Sequence, residues 1–275
     1  MTLEADMGSG AWQREDGTLI CEVNQAVPAD REWSAIRAGS SLPAGPQEWR
    51  RHSHPVHELV WVRGGSLTAC VGELIFTVTE GFGLWIPAGE MHAGRSTANV
   101  EFHEAVFEPR TARTIFPEAT VVTMSPLLQA LLVHLASPDL SAEERNRAEG
   151  VVFDVLEPTG RNVALRLPGD ARIAPILEAL LTDPSDSRGL EAWARQLGIS
   201  DRTIARRFHA LTGLSFTQWR RVLRIHHALK LLSTGSDVQE TSRQLGYAHP
   251  STFIVAFRRV MGTTPGAFLE SLRSP

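Results

Sequence analysis

Two stretches in the last third of the chain share one layout: a short amphipathic helix, a glycine, then a second helix. LEAWARQLGISDRTIARRFHALTG spans 190–213 and VQETSRQLGYAHPSTFIVAFRRVMG spans 238–262. This layout constrains the fold more than any other feature. A tight corner between helices needs a residue free to take positive φ at the turn and an apolar stripe on each arm. In the first stretch Leu190, Ala194 and Leu197 share a face, Gly198 makes the turn and Ser200 is placed to cap the next helix. Ile204, Phe208 and Leu211 then form the second stripe. In the second stretch Asp237 can cap, Gly246 turns, and Pro250 suits the start of the following helix. Phe253, Phe257 and Val260 form its stripe. Between them FTQWRRVLRIHHALKLLS, 216–233, reads as one helix of roughly 25 Å.

The faces left over carry the chemistry. Ser200, Arg202, Thr203, Arg206 and Arg207 fall outside the first stripe, and Ser251, Thr252, Arg258 and Arg259 outside the second. Guanidinium forks and hydroxyls can read base edges and hold phosphates, and a helix of this length can space two such helices across successive major grooves about 34 Å apart. The net charge of −4 conceals an asymmetry. Residues 185–275 hold 13 basic against 6 acidic side chains, or +7, leaving −11 for residues 1–184. A basic last third fits an anionic partner. Lys230 is the only lysine, so the arginine bias by itself says nothing about phosphates. Solvated arginine faces are the bland alternative, and two capped units in tandem weigh against it.

This third resembles the DNA-binding domain of the AraC/XylS family of bacterial transcription regulators. The residues that carry the likeness are LxxxARQLGISxRTxxRRFxxxTGLSFxxWRR and GYxxPSTFxxAFRRxxGTTPxxF, about 90 residues in all. The resemblance implies binding to double-stranded promoter DNA, a sensor domain upstream and, for an activator, RNA polymerase as a partner. Ile254 and Val255 depart from it, standing where polar or basic residues are common in the family. Base readout is therefore expected mainly from the first unit, with phosphate and thymine-methyl contacts from the second.

Upstream, residues 18–107 break into short β-prone runs such as LVWVRGG, ELIFTVTEGFG and VEFHEAVFEP. From Ser125 the periodicity turns helical, with Ser141 and Glu144 as a capping box, and 158–170 is punctuated as a connector. The expected fold class is α+β with two domains: an N-terminal β-barrel, a helical connector and a C-terminal all-α tandem helix-turn-helix domain. The boundaries expected are 1–120, 121–167 and 168–275, with the first fifteen or so residues disordered. There is no run of 18 apolar residues and no basic, apolar leader, which predicts a cytoplasmic protein without a membrane partner. Cys21 and Cys70 have no metal-type spacing and are expected to be reduced.

RHSHPVHELVWVRGG, 51–65, packs three histidines and a glutamate into seven positions. His52, His54 and Glu58 share strand parity, while His57 has the other and reads as a surface or supporting histidine. The spacing His52-x-His54-x3-Glu58-x6-Gly65, joined to Gly81-x5-Pro87-x-Gly89-x2-His92, resembles the two motifs of the cupin family of β-barrels. The second motif often ends in Asn in metal-binding members, and Ser96 stands there in this chain. The resemblance implies one divalent transition metal on His52, His54, Glu58 and His92, and such a ligand set suits Zn, Fe, Mn, Ni or Cu. The competing reading makes the same residues the wall of a metal-free pocket. Trp61, Trp85 and His103 are the candidate effector contacts, with Phe76, Phe102 and Phe107 as further lining. Leu127, Leu128, Leu131, Leu132 and Leu135 exceed one narrow stripe and suggest packing on the barrel plus a homodimer interface. The expected function is a regulator whose promoter binding responds to a small molecule, a metal or both, and not an enzyme. The alternative is a cupin metalloenzyme, a dioxygenase or isomerase, fused to a DNA-binding module.

Overall fold

The computed structural model describes residues 17–21, 35–98, 100–110, 116–159 and 164–273, so the leader expected to be disordered lies outside it. The strands in chain order are β1 (Leu19–Cys21), β2 (Ile36–Ser41), β3 (Gln47–His52), β4 (His57–Arg63), β5 (Ser66–Val71), β6 (Leu74–Thr79), β7 (Phe82–Ile86), β8 (His92–Ser96), β9 (Glu101–Phe107), β10 (Thr120–Thr123) and the short β11 (Leu165–Arg166). The helices are α1 (Pro126–Leu135), α2 (Ala142–Val155), α3 (Ala174–Thr182), α4 (Leu190–Leu197), α5 (Asp201–Thr212), α6 (Phe216–Ser233), α7 (Val238–Gln244), α8 (Pro250–Met261) and α9 (Pro265–Arg273). One sheet runs β1-β3-β8-β5-β6-β11 and the other β10-β7-β4-β9-β2. Contacts divide the chain into a unit of Gly17–Gly72 with Val78–Asn162 and a unit containing Glu73–Thr77 and Val163–Pro275. The connector helices α1 and α2 thus belong with the barrel, and the division falls at 162/163 where 167/168 was expected.

In the barrel unit, strand alternation sorts the second sheet into two faces. Leu59 and Trp61 of β4, Trp85 of β7 and Phe107 of β9 join Leu128, Leu132 and Leu135 of α1 and Val152 of α2 in one core. Glu58, Val60 and Val62 point the other way, toward the first sheet, where Trp49 stacks on Phe102 with ring centroids 4.7 Å apart. The expected capping box starts α2, with Ser141 accepting from Glu144 N and the Glu144 carboxylate accepting from Ser141 N. Buried Glu149 ties α2 to β2 by accepting from Ile36 N at 3.0 Å. Cys21 and Cys70 are free thiols, and burial pushes the Cys70 pKa up to about 12.

The helical unit follows its sequence signals closely. Gly198 ends α4 in the left-handed region at φ 66°, and Ser200 caps α5 by accepting from Thr203 N at 3.1 Å. Asp237 caps α7, Pro250 opens α8, and the linker occupies 216–233 as read, about 27 Å at 1.5 Å per residue. At Gly246 the corner needs a glycine twice over. Its φ is +71°, and a Cβ would stand 2.8 Å from Ser185 O. The core differs in two places from the expected stripes. Trp193, not the Leu190 face, is the fully buried anchor of α4, and Leu211 is 37% exposed. Around Leu211 the reason is aromatic bulk, because Phe208 packs edge-on against Phe216 and Trp219 and completes the stripe without Leu211.

Candidate functional site

The histidines converge. His52 at the end of β3, His54 in the following turn and His92 at the start of β8 bring one ring nitrogen each to within 4.8 Å of one another. His52 and His92 face each other across the β3–β8 ladder with ring centroids 4.2 Å apart. Glu58 enters from β4, its Oε2 lying 3.0 Å from His54 Nε2 and 3.4 Å from His92 Nε2.

The protonation logic follows from the other ring nitrogen. Nδ1 of His52 lies 2.6 Å from Arg50 O, that of His54 2.8 Å from Val56 O, and that of His92 2.8 Å from Glu90 O. A carbonyl oxygen can only accept, so each Nδ1 carries a proton and each neutral ring keeps its lone pair on Nε2. Two such lone pairs against one carboxylate repel unless a proton or a cation lies between. Burial opposes charge on Glu58, but its hydrogen bonds to His54 and His92 prevail and hold its pKa down at about 2. Burial likewise opposes charge on His54, but the bond to Glu58, that carboxylate's charge and the backbone carbonyl of Val56 together outweigh it and raise the pKa. Burial lowers that of His52. Backbone carbonyls that orient imidazoles through Nδ1 are the usual support of metal-ligating histidines, so the donor set fits a divalent ion.

The other residues expected in the barrel separate from this cluster. His57 points to the opposite face of β4, as its parity predicts. Its ring stacks on Trp85 at 5.1 Å and its Nδ1 accepts from Ala88 N at 3.0 Å. Trp61, Trp85 and His103 do not meet the cluster of His52, His54 and His92. Trp61 and Trp85 lie in the core beneath α1 and α2, and His103 stacks on Trp61 at 5.0 Å. The expected effector contacts are therefore corrected on geometric grounds: that face is covered by helices. Of the further lining residues, Phe102 faces between the sheets and Phe107 does not. Sequence reasoning missed Trp49 and Glu104. Glu104 stands opposite Val60 on β9, on the Glu58 side. Burial and the charge of Glu58 raise its pKa. Strand parity counted from Glu58 and carried across the β4–β9 register would have found it.

In the helical unit Arg202 and Arg206 are exposed on α5, opposite the fully buried Ile204 and Phe208. Ser200 is spent on capping, its Oγ also 2.8 Å from Thr203 Oγ1. Arg207 turns aside to pair with Asp170, 2.7 Å from Nη1 to Oδ2, which makes it a brace more than a reader. Ser251, Thr252, Arg258 and Arg259 are exposed on α8, and Val255 is 68% exposed beside them.

Residues 44–197 match the family described as AraC-like ligand binding domain, and residues 193–271 match one described as helix-turn-helix domain. The HTH-type transcriptional regulator NimR of Escherichia coli (strain K12) is 31% identical over 242 residues, covering 86% of this chain and 86% of that protein. The HTH-type transcriptional regulator RipA of Corynebacterium glutamicum is 29% identical over 219 residues, 76% of this chain and 61% of that one. Among solved structures, ToxT from Vibrio cholerae covers 88% of this chain and 100% of its own at 10% identity and a TM-score of 0.37, a likeness too loose to carry an argument. Among the described residues no helix is long and apolar enough to cross a membrane.

Proposed function

The chain belongs to the AraC family of helix-turn-helix transcriptional regulators, and from that premise we propose that a small molecule in the barrel, with or without a divalent metal on the histidines, controls promoter binding by the helical unit. The carrying observation is α5 itself, which buries Ile204 and Phe208 completely and presents Arg202 and Arg206 to solvent. A helix so anchored can enter a major groove without distorting its core. Arg206 is assigned to base edges, Arg202 and Thr203 to the groove margin, and Ser251, Thr252, Arg258 and Arg259 to the second half-site. His52, His54, Glu58 and His92 would hold a metal, and Glu104 and the Trp49–Phe102 pair line the effector space. The metal would supply Lewis acidity or a fixed cation. The chain's own residues would fix its position, and no catalytic role is assigned to them. The metalloenzyme reading predicts turnover by metal-loaded protein in the absence of DNA.

Arg206→Ala is expected to weaken binding to a duplex selected by the wild-type protein from a random pool by about 1–3 kcal/mol, and to weaken binding to random duplex much less. Fluorescence anisotropy on both duplexes measures this; equal losses would make Arg206 a phosphate contact. Effector and DNA should alter each other's affinity by the same factor. Dependence on the barrel is tested by repeating the titration after chelation and after metal is restored. A homodimer is supported by Leu127 and Val133 of α1, which remain 53% and 57% exposed while their neighbours Leu128 and Leu132 are buried. Sedimentation should show a dimer at micromolar concentration that Leu127→Glu dissociates, and a monomer throughout would reject it. RNA polymerase is the further partner if the protein activates.

A further inference from the structure

A groove of about 230 Å³ lies between the N-terminal half of α6 and α8, with Tyr247 at its side. Arg220, Arg221 and Arg224 line it from α6 and Arg259 from α8, and no acidic residue lines it. Four guanidiniums around one groove repel each other, so the fold must hold them in place. Two are held by groups that orient without neutralising. Arg224 donates to Pro184 O at 2.7 Å and to Ser185 O and Asp186 O at 3.3 Å, and Arg220 donates to Arg188 O at 2.9 Å. The nearby carboxylate of Asp186 is engaged by Arg188, with Nε to Oδ2 at 2.8 Å. Burial and the charge of Arg224 together lower the Arg220 pKa, the mark of a cation placed beside another cation. Arg221 and Arg259 form no salt bridge among the described residues. The wall facing these arginines is α8, through Thr252 and the exposed Val255.

We propose that this groove seats a phosphate of the DNA backbone, so that α6 grips the duplex as well as spacing the two helix-turn-helix units. The proposal rests on the reading that α5 and α8 face DNA, and it names the group that α6 would hold there. Pre-oriented guanidinium forks suit a phosphate's paired oxygens, and the apolar floor of Val255 and Ala256 suits a sugar. It also accounts for an apolar residue at an exposed position of α8. With Val255 unable to donate a hydrogen bond to a base, that half of the interface gains its hold from the backbone.

The test uses the full chain, a duplex selected by the wild-type protein, a random duplex and a potassium chloride series. Arg221→Ala should lose roughly tenfold on both duplexes and lower the slope of log K against log salt by about 0.9, one phosphate contact. Arg221→Lys should keep most of the slope, and an unchanged melting temperature shows that the variant is folded. Loss on the selected duplex alone would make Arg221 a base contact and overturn the proposal, as would an unchanged slope. If inorganic phosphate raises the melting temperature of wild type but not of Arg221→Ala, and DNA affinity is unaffected, the groove serves a free anion and the proposal fails. Sensitivity to Arg206→Ala without sensitivity to Arg221→Ala removes this inference alone. Wild-type protein that binds no duplex removes the DNA-binding reading with it.

Discussion

Gly65→Ala is expected to destabilise the barrel unit by about 2–5 kcal/mol, from left-handed backbone strain plus overpacking. Gly65 sits at φ +66° in the turn between β4 and β5, where a side chain already costs energy. The larger cost comes from what the new Cβ meets. It would stand 2.3 Å from Thr97 Oγ1 and 2.8 Å from Val100 Cγ2, and both residues are buried. Thr97 has no easy retreat, because its Oγ1 accepts from Ser66 N at 2.9 Å and donates to Ser66 O at 3.4 Å. Moving it would break the bond that closes the turn. Gly72→Ala separates the two contributions: φ there is +57°, yet nothing lies within 4 Å of its Cβ. That variant should lose only about 1–2 kcal/mol. Calorimetry on the three proteins checks the ordering, and Gly65→Ala melting no earlier than Gly72→Ala would refute it.

Gly65 also illustrates what was legible in advance. Its place at a fixed interval from His52, His54 and Glu58 is a pattern in the chain, while its collision with Thr97 is a contact across 32 positions. The helical unit was the more readable half because its signals are local. Ser200, Asp237, Gly198, Gly246 and Pro250 each act within a few residues, and each stands where the turn chemistry places it. What failed there was long-range. Arg207 looked like part of a basic face until Asp170, 37 positions upstream, claimed it. Arg220 and Arg224 carry no local signal that sets them apart in the linker helix, because their acceptors come from the 184–188 segment. In the barrel, parity separated His57 from Glu58 correctly, but it cannot say which face of a strand looks inward when both are covered. Trp61 and Trp85, expected in the pocket, are the case in point. Their face of the sheet lies under the leucines of α1, whose destination no local pattern reveals.

His92→Ala is expected to cost at least about 100-fold in metal affinity, which at a metal concentration near 100 times the wild-type Kd removes about 2.3 of the roughly 2.7 kcal/mol of metal-linked stability. The expectation rests on division of labour within the ring. His52, His54 and His92 each commit Nδ1–H to a backbone carbonyl, which leaves Nε2 as the donor and fixes its direction. Removing one of three converging donors leaves a site that cannot close around the ion, with Glu58 still facing His54 alone. His57→Ala is the matched control. It removes an equally buried imidazole of the same segment, but one whose Nδ1 accepts from Ala88 N and whose ring stacks on Trp85. Its metal affinity should stay at the wild-type level even if its melting temperature falls. Elemental analysis and melting curves with added zinc, then with chelator, measure both quantities. Equal zinc response in wild type and His92→Ala would overturn the metal site. The cluster would then stand as a proton-bridged network, in which His54 carries the charge that Glu58 requires and the barrel senses a small molecule without an ion.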